Sequence, residues 1–251
     1  MTADDLTGRV AIVTGSTAGL GARFAHVLAG AGATVVVTGR RTERIREVVE
    51  SIGRSGGKAH GVRLDVTDPA SIEDCLTGVT EQIGLPQILV NNAGIPDAQR
   101  AHKMSLELVD AVLDTNVRGP WLMATGVARR LIEAGMPGRI VNITSMSAYQ
   151  YDGNGAALYS TTKAAVSRMT EALAVEWSRR FINVNAIAPG VFASEMTDGM
   201  LARVGDIAPG LPRRRLGQPE QIDSTLLYLV SDASEAVTGT VIKIDDGQLP
   251  R

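Results

Sequence analysis

Short, continuous apolar runs alternate along the chain with stretches in which apolar residues recur every three or four positions. The first kind reads as strands buried on both faces, the second as amphipathic helices. The first strand is the run from Val10 to Val13, and Phe24, Val27 and Leu28 mark the helix after it, which stops near Gly30 and Gly32. Residues 34–38 form a second strand, and Ile45, Val48, Val49 and Ile52 share one side of a helix over 42–52. Val62, Leu64 and Val66 alternate with Arg63 and Asp65, which predicts a third strand there. Asp68 and Pro69 start a helix as N-cap and first helical residue. A fourth strand (88–90) follows, then helices over 105–117 and on to 134, a strand over 139–144 and a long helix over 156–180. The chain closes with a strand at 184–188, an irregular stretch over 194–218, a helix over 219–230 and a strand over 241–245. This alternation predicts a single domain over residues 1–251. Its fold class is α/β, a doubly wound parallel sheet of about seven strands with helices on both faces.

Composition narrows the partners. A net charge of −2 argues against nucleic acid and against an anionic membrane surface. The single cysteine, Cys75, sits among helix-spaced apolar residues, so it reads as a core residue in a reducing compartment. His26, His60 and His102 are scattered and predict no metal site. No apolar run approaches the roughly 20 residues that span a bilayer. The acidic N-terminal residues Met1 to Asp5 carry no secretory apolar core, and a cytoplasmic location is expected.

Candidate chemistry begins in the first strand–loop–helix. Gly15, Gly19 and Gly21 let the backbone turn tightly and let a ligand approach, and the helix behind them aims free N–H groups at the loop. A dinucleotide pyrophosphate fits this place, although G-x-x-x-G-x-G differs from the G-x-G-x-x-G spacing. The second strand ends in Thr38-Gly39-Arg40-Arg41, without the carboxylate that would hold a ribose 2′-hydroxyl. Arg40 offers a planar fork to a 2′-phosphate, which favours NADP(H). Ser16, Thr17 and Ala18 add no second basic residue, and a solvated Arg40 would return NAD(H). At the start of the long helix, Tyr159 and Lys163 are four apart on one face. A nearby ammonium favours phenolate and brings the phenol, with a pKa of roughly 10, toward useful proton exchange.

Five motifs in this order resemble the short-chain dehydrogenase/reductase family over essentially the whole chain: Thr14-Gly15 with Gly19 and Gly21, Asn91-Asn92-Ala93-Gly94, the Ser145 region, Tyr159-x-x-x-Lys163, and Pro189-Gly190. The subgroup it resembles holds ketoacyl-carrier-protein reductases and small alcohol or sugar dehydrogenases. The resemblance implies a Rossmann fold and an NADP(H)-dependent oxidoreductase, a carbonyl reductase acting on a small-molecule ketone or secondary alcohol. The alternatives are an NAD-dependent alcohol or polyol dehydrogenase and a non-catalytic cofactor-binding protein. Tyr159 is implied as general acid/base, Lys163 as the group that lowers its pKa and holds the nicotinamide ribose, Ser145 as the partner of the reacting oxygen, and Asn116 as holder of a water behind Lys163.

The implied cofactor contacts are Gly15, Ser16, Thr17, Gly19, Leu20 and Gly21, with Asp65 and Val66 at the adenine and Asn92, Ala93 and Gly94 along the ribose. Pro189, Gly190, Val191 and Ser194 are implied at the nicotinamide. Ser145 stands 14 residues before Tyr159, one more than the family usually has, and Ser147 stands 12 before it. Ser145 is preferred because it directly follows the strand. Pocket candidates are Pro96, Ser147, Tyr151, Asn154 and the 194–218 stretch as a substrate cover. Tyr149 and Tyr151 suit either an apolar substrate or packing, and Arg213-Arg214-Arg215 either an anionic substrate or a solvated face. A homotetramer or homodimer is expected, with Asp245-Asp246-Gly247 in place of the usual Asp-Gly-Gly near its contacts.

Overall fold

The computed structural model describes residues 5–248, apart from Asp152, Asn154 and the side chain of Met196. Seven parallel strands form one sheet in the order β3-β2-β1-β4-β5-β6-β7. These are β1 (Val10–Val13), β2 (Thr34–Gly39), β3 (Lys58–Arg63), β4 (Pro86–Asn91), β5 (Gly138–Ile143), β6 (Ile182–Pro189) and β7 (Val241–Ile244). The continuous apolar runs occupy the middle: β1, β5 and β6 are buried at every position. Helices cover both faces, as parallel pairing requires. On one face α1 (Gly19–Gly30), α2 (Thr42–Arg54) and α8 (Asp223–Val230) pack through Phe24, Leu28, Ile52 and Leu226. On the other, α3 (Pro69–Gln82), α5 (Gly119–Ala134) and α6 (Ala157–Trp177) pack through Leu76, Met123, Leu131 and Leu173. Cys75 belongs to that second core, where burial pushes its thiol up to about 11.

Three elements differ from the sequence expectation. β3 lies at the sheet edge, and its last pairing joins Gly39 to Arg63. Leu64 and Val66 lie beyond it and are buried against α3 and α5, so their alternation records packing under helices and not strand pairing. The helix expected over 105–117 is α4 (Leu106–Leu113) followed by a π-helical turn, Asp114–Arg118, that runs into α5. Such a turn widens the helix by one residue and is common at functional sites. The 194–218 stretch is not irregular throughout, since α7 spans Glu195–Val204. Ser194 caps it by accepting from Thr197 N, Glu195 and Asp198 suit its N-terminal dipole, and Gly205 at φ +83° ends it. Gly199 falls inside α7 and Gly205 ends it, so only the second of these two glycines acts as a breaker.

Candidate active site

The crossovers leave β1 and β4 toward opposite faces, and a crevice opens above the carboxyl ends of these neighbouring strands. A cleft of about 670 Å³ occupies it, walled by the loops after β1, β2, β4, β5 and β6 and by the first turn of α7. The loop after β1 is held by side chains of its neighbours. Thr14 Oγ1 accepts from both Asn92 N and Ala93 N at 3.0 Å, and Asn92 Nδ2 donates to the carbonyls of Thr14 and Gly15. Gly15 and Gly19 take φ of +64° and +53°, which glycine adopts without strain. A Cβ at Gly21 would fall 2.4 Å from Asn92 Nδ2. Ala18 precedes α1 with no side-chain cap, and no acid stands in the first turn, so the helix presents its free N–H groups to the cleft. This cradle fits the pyrophosphate of a dinucleotide.

At the adenosine end, Arg40, Arg41, Asp65 and Val66 all line the cleft. Burial pushes Asp65 up, but hydrogen bonds from Thr67 and the charges of Arg40 and Arg63 outweigh it and hold the carboxyl below its usual range. Arg41 donates to Thr17 Oγ1 at 3.2 Å and stands 3.7 Å from Glu195 on α7. Arg40 is exposed beside it.

At the nicotinamide end, Ser145, Tyr159 and Lys163 converge on one wall. Ser145 lines the cleft and pulls the phenol's pKa down against burial, whereas Ser147 does not line the cleft. Lys163 is buried, donates to Ile143 O at 2.9 Å and lies 5.5 Å from the Tyr159 ring centroid. Asn116, in the π turn, binds Ile95 through both its backbone groups and donates to Thr162 Oγ1. It does not line the cleft but flanks Gly94, whose missing Cβ would lie 3.4 Å from both Asn116 Oδ1 and Lys163 Nζ.

Burial dominates the electrostatics of this pair in the protein alone. Burial pushes Tyr159 up to about 12; Ser145 opposes this and the charge of Asp97 adds to it. Burial also lowers Lys163 to about 8. In the protein alone desolvation is the largest cause of both shifts, and it moves each group toward its neutral form. Asp97 itself was not singled out from sequence. The weak signal for it is that Ala156, at the predicted helix start, cannot cap α6.

Several predicted contacts are placed elsewhere. Ser16 is fully buried, where its hydroxyl joins Val13 O and Thr38 N and not the cleft. Val191 N donates to Gln248 Oε1, and Val191 does not line the cleft, whereas Pro189, Gly190 and Ser194 do. Tyr151 OH accepts from Gly155 N and Tyr149 lies under Lys243, while both side chains stay 46% exposed. Pro96 is exposed, and Asn154 lies outside the described residues. Arg213 and Arg215 pair with Asp246, which ties the 194–218 stretch to the end of the sheet. Thr144, Phe192 and Thr197 line the cleft without having been expected there.

A family model described as enoyl-(acyl carrier protein) reductase matches residues 15–248. The 3-oxoacyl-(acyl-carrier-protein) reductase FabG of Aquifex aeolicus is 38% identical over 245 residues, 96% of this chain and 98% of its own. A short-chain type dehydrogenase/reductase from Mycobacterium marinum superposes with a TM-score of 0.95 at 36% identity, covering 99% of this chain and 98% of the other. A structure of a putative 2-deoxy-D-gluconate 3-dehydrogenase from Agrobacterium tumefaciens with bound NADP has a TM-score of 0.91 at 35% identity over all of both chains.

The buried lysine makes stability depend on pH. Unfolded, Lys163 titrates near 10.5; folded, near 8, so between these values the unfolded chain binds the extra proton and stability rises with pH. Wild type should gain on Lys163→Met by up to about 3 kcal/mol across this window, measured by urea unfolding at each pH. A difference that stays flat would contradict the burial account.

Proposed function

The chain belongs to the short-chain dehydrogenase/reductase family of oxidoreductases, and from that premise we propose that it moves hydride between NADP(H) and a ketone or secondary alcohol. One observation carries the reading: Ser145, Tyr159 and Lys163 share a single cleft with the uncapped N-terminus of α1. Bound NADPH supplies the hydride. The residues of this chain supply orientation and the proton. Tyr159 Oη gives its proton to the developing alkoxide, and Ser145 Oγ hydrogen-bonds the same oxygen. With its pKa pushed up to about 12, the phenol is protonated at neutral pH, which suits reduction. Lys163 holds the ribose hydroxyls, and Asn116 sits beside its far end. Arg40, with Arg41 next to it, takes the 2′-phosphate, and the absence of a carboxylate at the end of β2 removes the group that would repel it. NADP bound to the Agrobacterium structure supports this choice. The ketoacyl reductase and deoxygluconate dehydrogenase relatives support a substrate carrying a carbonyl near an anionic or polar group.

The 194–218 stretch covers the substrate in this reading. Arg203 on α7 donates to Ala98 O on the loop after β4 at 3.4 Å. The chain assembles as a homotetramer, supported by apolar side chains left exposed on α4, α5 and α6: Leu106, Trp121 and Val175.

Tyr159→Phe should keep NADPH affinity but lose at least about 10²-fold in turnover, assayed with ketoacyl thioesters and keto-sugar acids. Wild-type turnover in that variant would overturn the acid/base role. Arg40→Ala should weaken NADPH much more than NADH in parallel fluorescence titrations. Equal weakening would return the NAD-dependent alcohol or polyol dehydrogenase. Sedimentation equilibrium should show four chains per particle, and a monomer would remove the tetramer.

A further inference from the structure

Helix α6 begins without a cap of its own. Its N-cap residue, Ala156, offers no side-chain acceptor, and no acid stands in the first turn. The missing acceptor arrives from another part of the chain. Asp97, on the loop after β4, is 3% exposed, and its Oδ2 accepts from Leu158 N at 2.9 Å and from Tyr159 N at 3.1 Å. Its Oδ1 accepts from Ala98 N at 2.8 Å. Ala98 is held at φ +50°, a left-handed conformation that costs a residue with a Cβ and persists only where the surroundings impose it. Around it, Arg203 donates to Ala98 O, and Arg100 donates to Gly153 O at the entry to α6.

We propose that Asp97 is a positioning residue for Tyr159: its carboxylate caps the catalytic helix from the β4 loop and sets the first turn that carries the phenol. The proposal rests on the acid/base reading of Tyr159. A serine at the helix start would cap locally and leave no charge behind. This chain instead buries a carboxylate with no Lys or Arg side chain within 4.0 Å among the described residues, balanced only by the helix N-terminus. The charge has a second effect. The groups facing the phenol are Lys163 from α6, Ser145 from the loop after β5 and Asp97 from the loop after β4. Asp97 opposes phenolate, so it keeps the proton on Tyr159 until the reacting oxygen needs it.

The test uses the full chain labelled with ¹³Cζ-tyrosine, with Tyr159→Phe assigning the resonance of Tyr159 among the four tyrosines. Asp97→Asn keeps an acceptor for the helix and removes the charge, whereas Asp97→Ala removes both. With NADPH and acetoacetyl-CoA or a keto-sugar acid, Asp97→Ala should lose about 10-fold or more in kcat with NADPH affinity unchanged. Asp97→Asn should recover to within about 3-fold of wild type. The Tyr159 titration should move down by about half a pH unit or more in Asp97→Asn, a change that a purely structural cap would not cause. If Asp97→Ala does not fold, the Asp97→Asn titration decides. Wild-type kcat in Asp97→Ala, or an unmoved titration in Asp97→Asn, would overturn the proposal while an inactive Tyr159→Phe leaves the acid/base reading standing. An active Tyr159→Phe would remove both.

Discussion

Everything in the cleft depends on how the ends of β1 and β4 are held. The crossovers leave these neighbours toward opposite faces, so no helix packs across the gap between them. The gap would close or fray if its backbone donors and acceptors had no partners. Thr14 and Asn92 supply them, each binding the other's loop. A second polar chain lies deeper, where Asn91 donates to Asn142 Oδ1 and Asn142 donates to Thr170 Oγ1 on α6. These buried bonds link β4, β5 and α6 into one rigid unit, so the glycine loop and the Tyr159 helix keep a fixed relation. A cofactor that must meet both ends at once needs that rigidity, since small misplacements at a reacting centre are costly.

The same burial that fixes the geometry sets the proton chemistry. A tyrosine and a lysine one turn apart suggest a cation activating a phenol. Inside the fold both groups lose water, and each shifts toward its neutral form. Ser145 pulls the phenol back, while Asp97 pushes it further. Loss of hydration is the largest cause of the shift in both groups. Proton affinity in this site is therefore a property of two loops and a helix together, and not of the Tyr-x-x-x-Lys spacing.

The fold was legible because parallel sheets leave a coarse signature. Strands buried on both faces must be continuously apolar, and the helices that cover them must carry a stripe. Where an element escapes that rule, the sequence misleads. β3 lies at the edge and has little to bury, so the apolar alternation beyond it drew the strand too late. α7 is set by its Ser194 cap and acidic first turn, which a periodicity reading undervalues. The π turn at Asp114–Arg118 has the residue pattern of an ordinary helix, and only the folded backbone shows its wider hydrogen bonding.

The sequence by itself determined the order of strands and helices, the glycine loop, the lack of a carboxylate after β2 and the Tyr159–Lys163 pair. All of these are local, encoded within a few residues of one another. Tertiary structure alone decided which residues meet the cleft and which merely hold it. Ser16 stands in the glycine loop but points into the core, and Asn92 stands in a motif but braces the neighbouring loop. Ser145 and Ser147 differ only in the fold, where the first lines the cleft and the second does not. Asp97 lies about sixty positions before the helix it caps, and no spacing rule joins them. Such partnerships depend on where the chain returns in space, because burial and hydrogen bonding act over ångströms and not along the sequence.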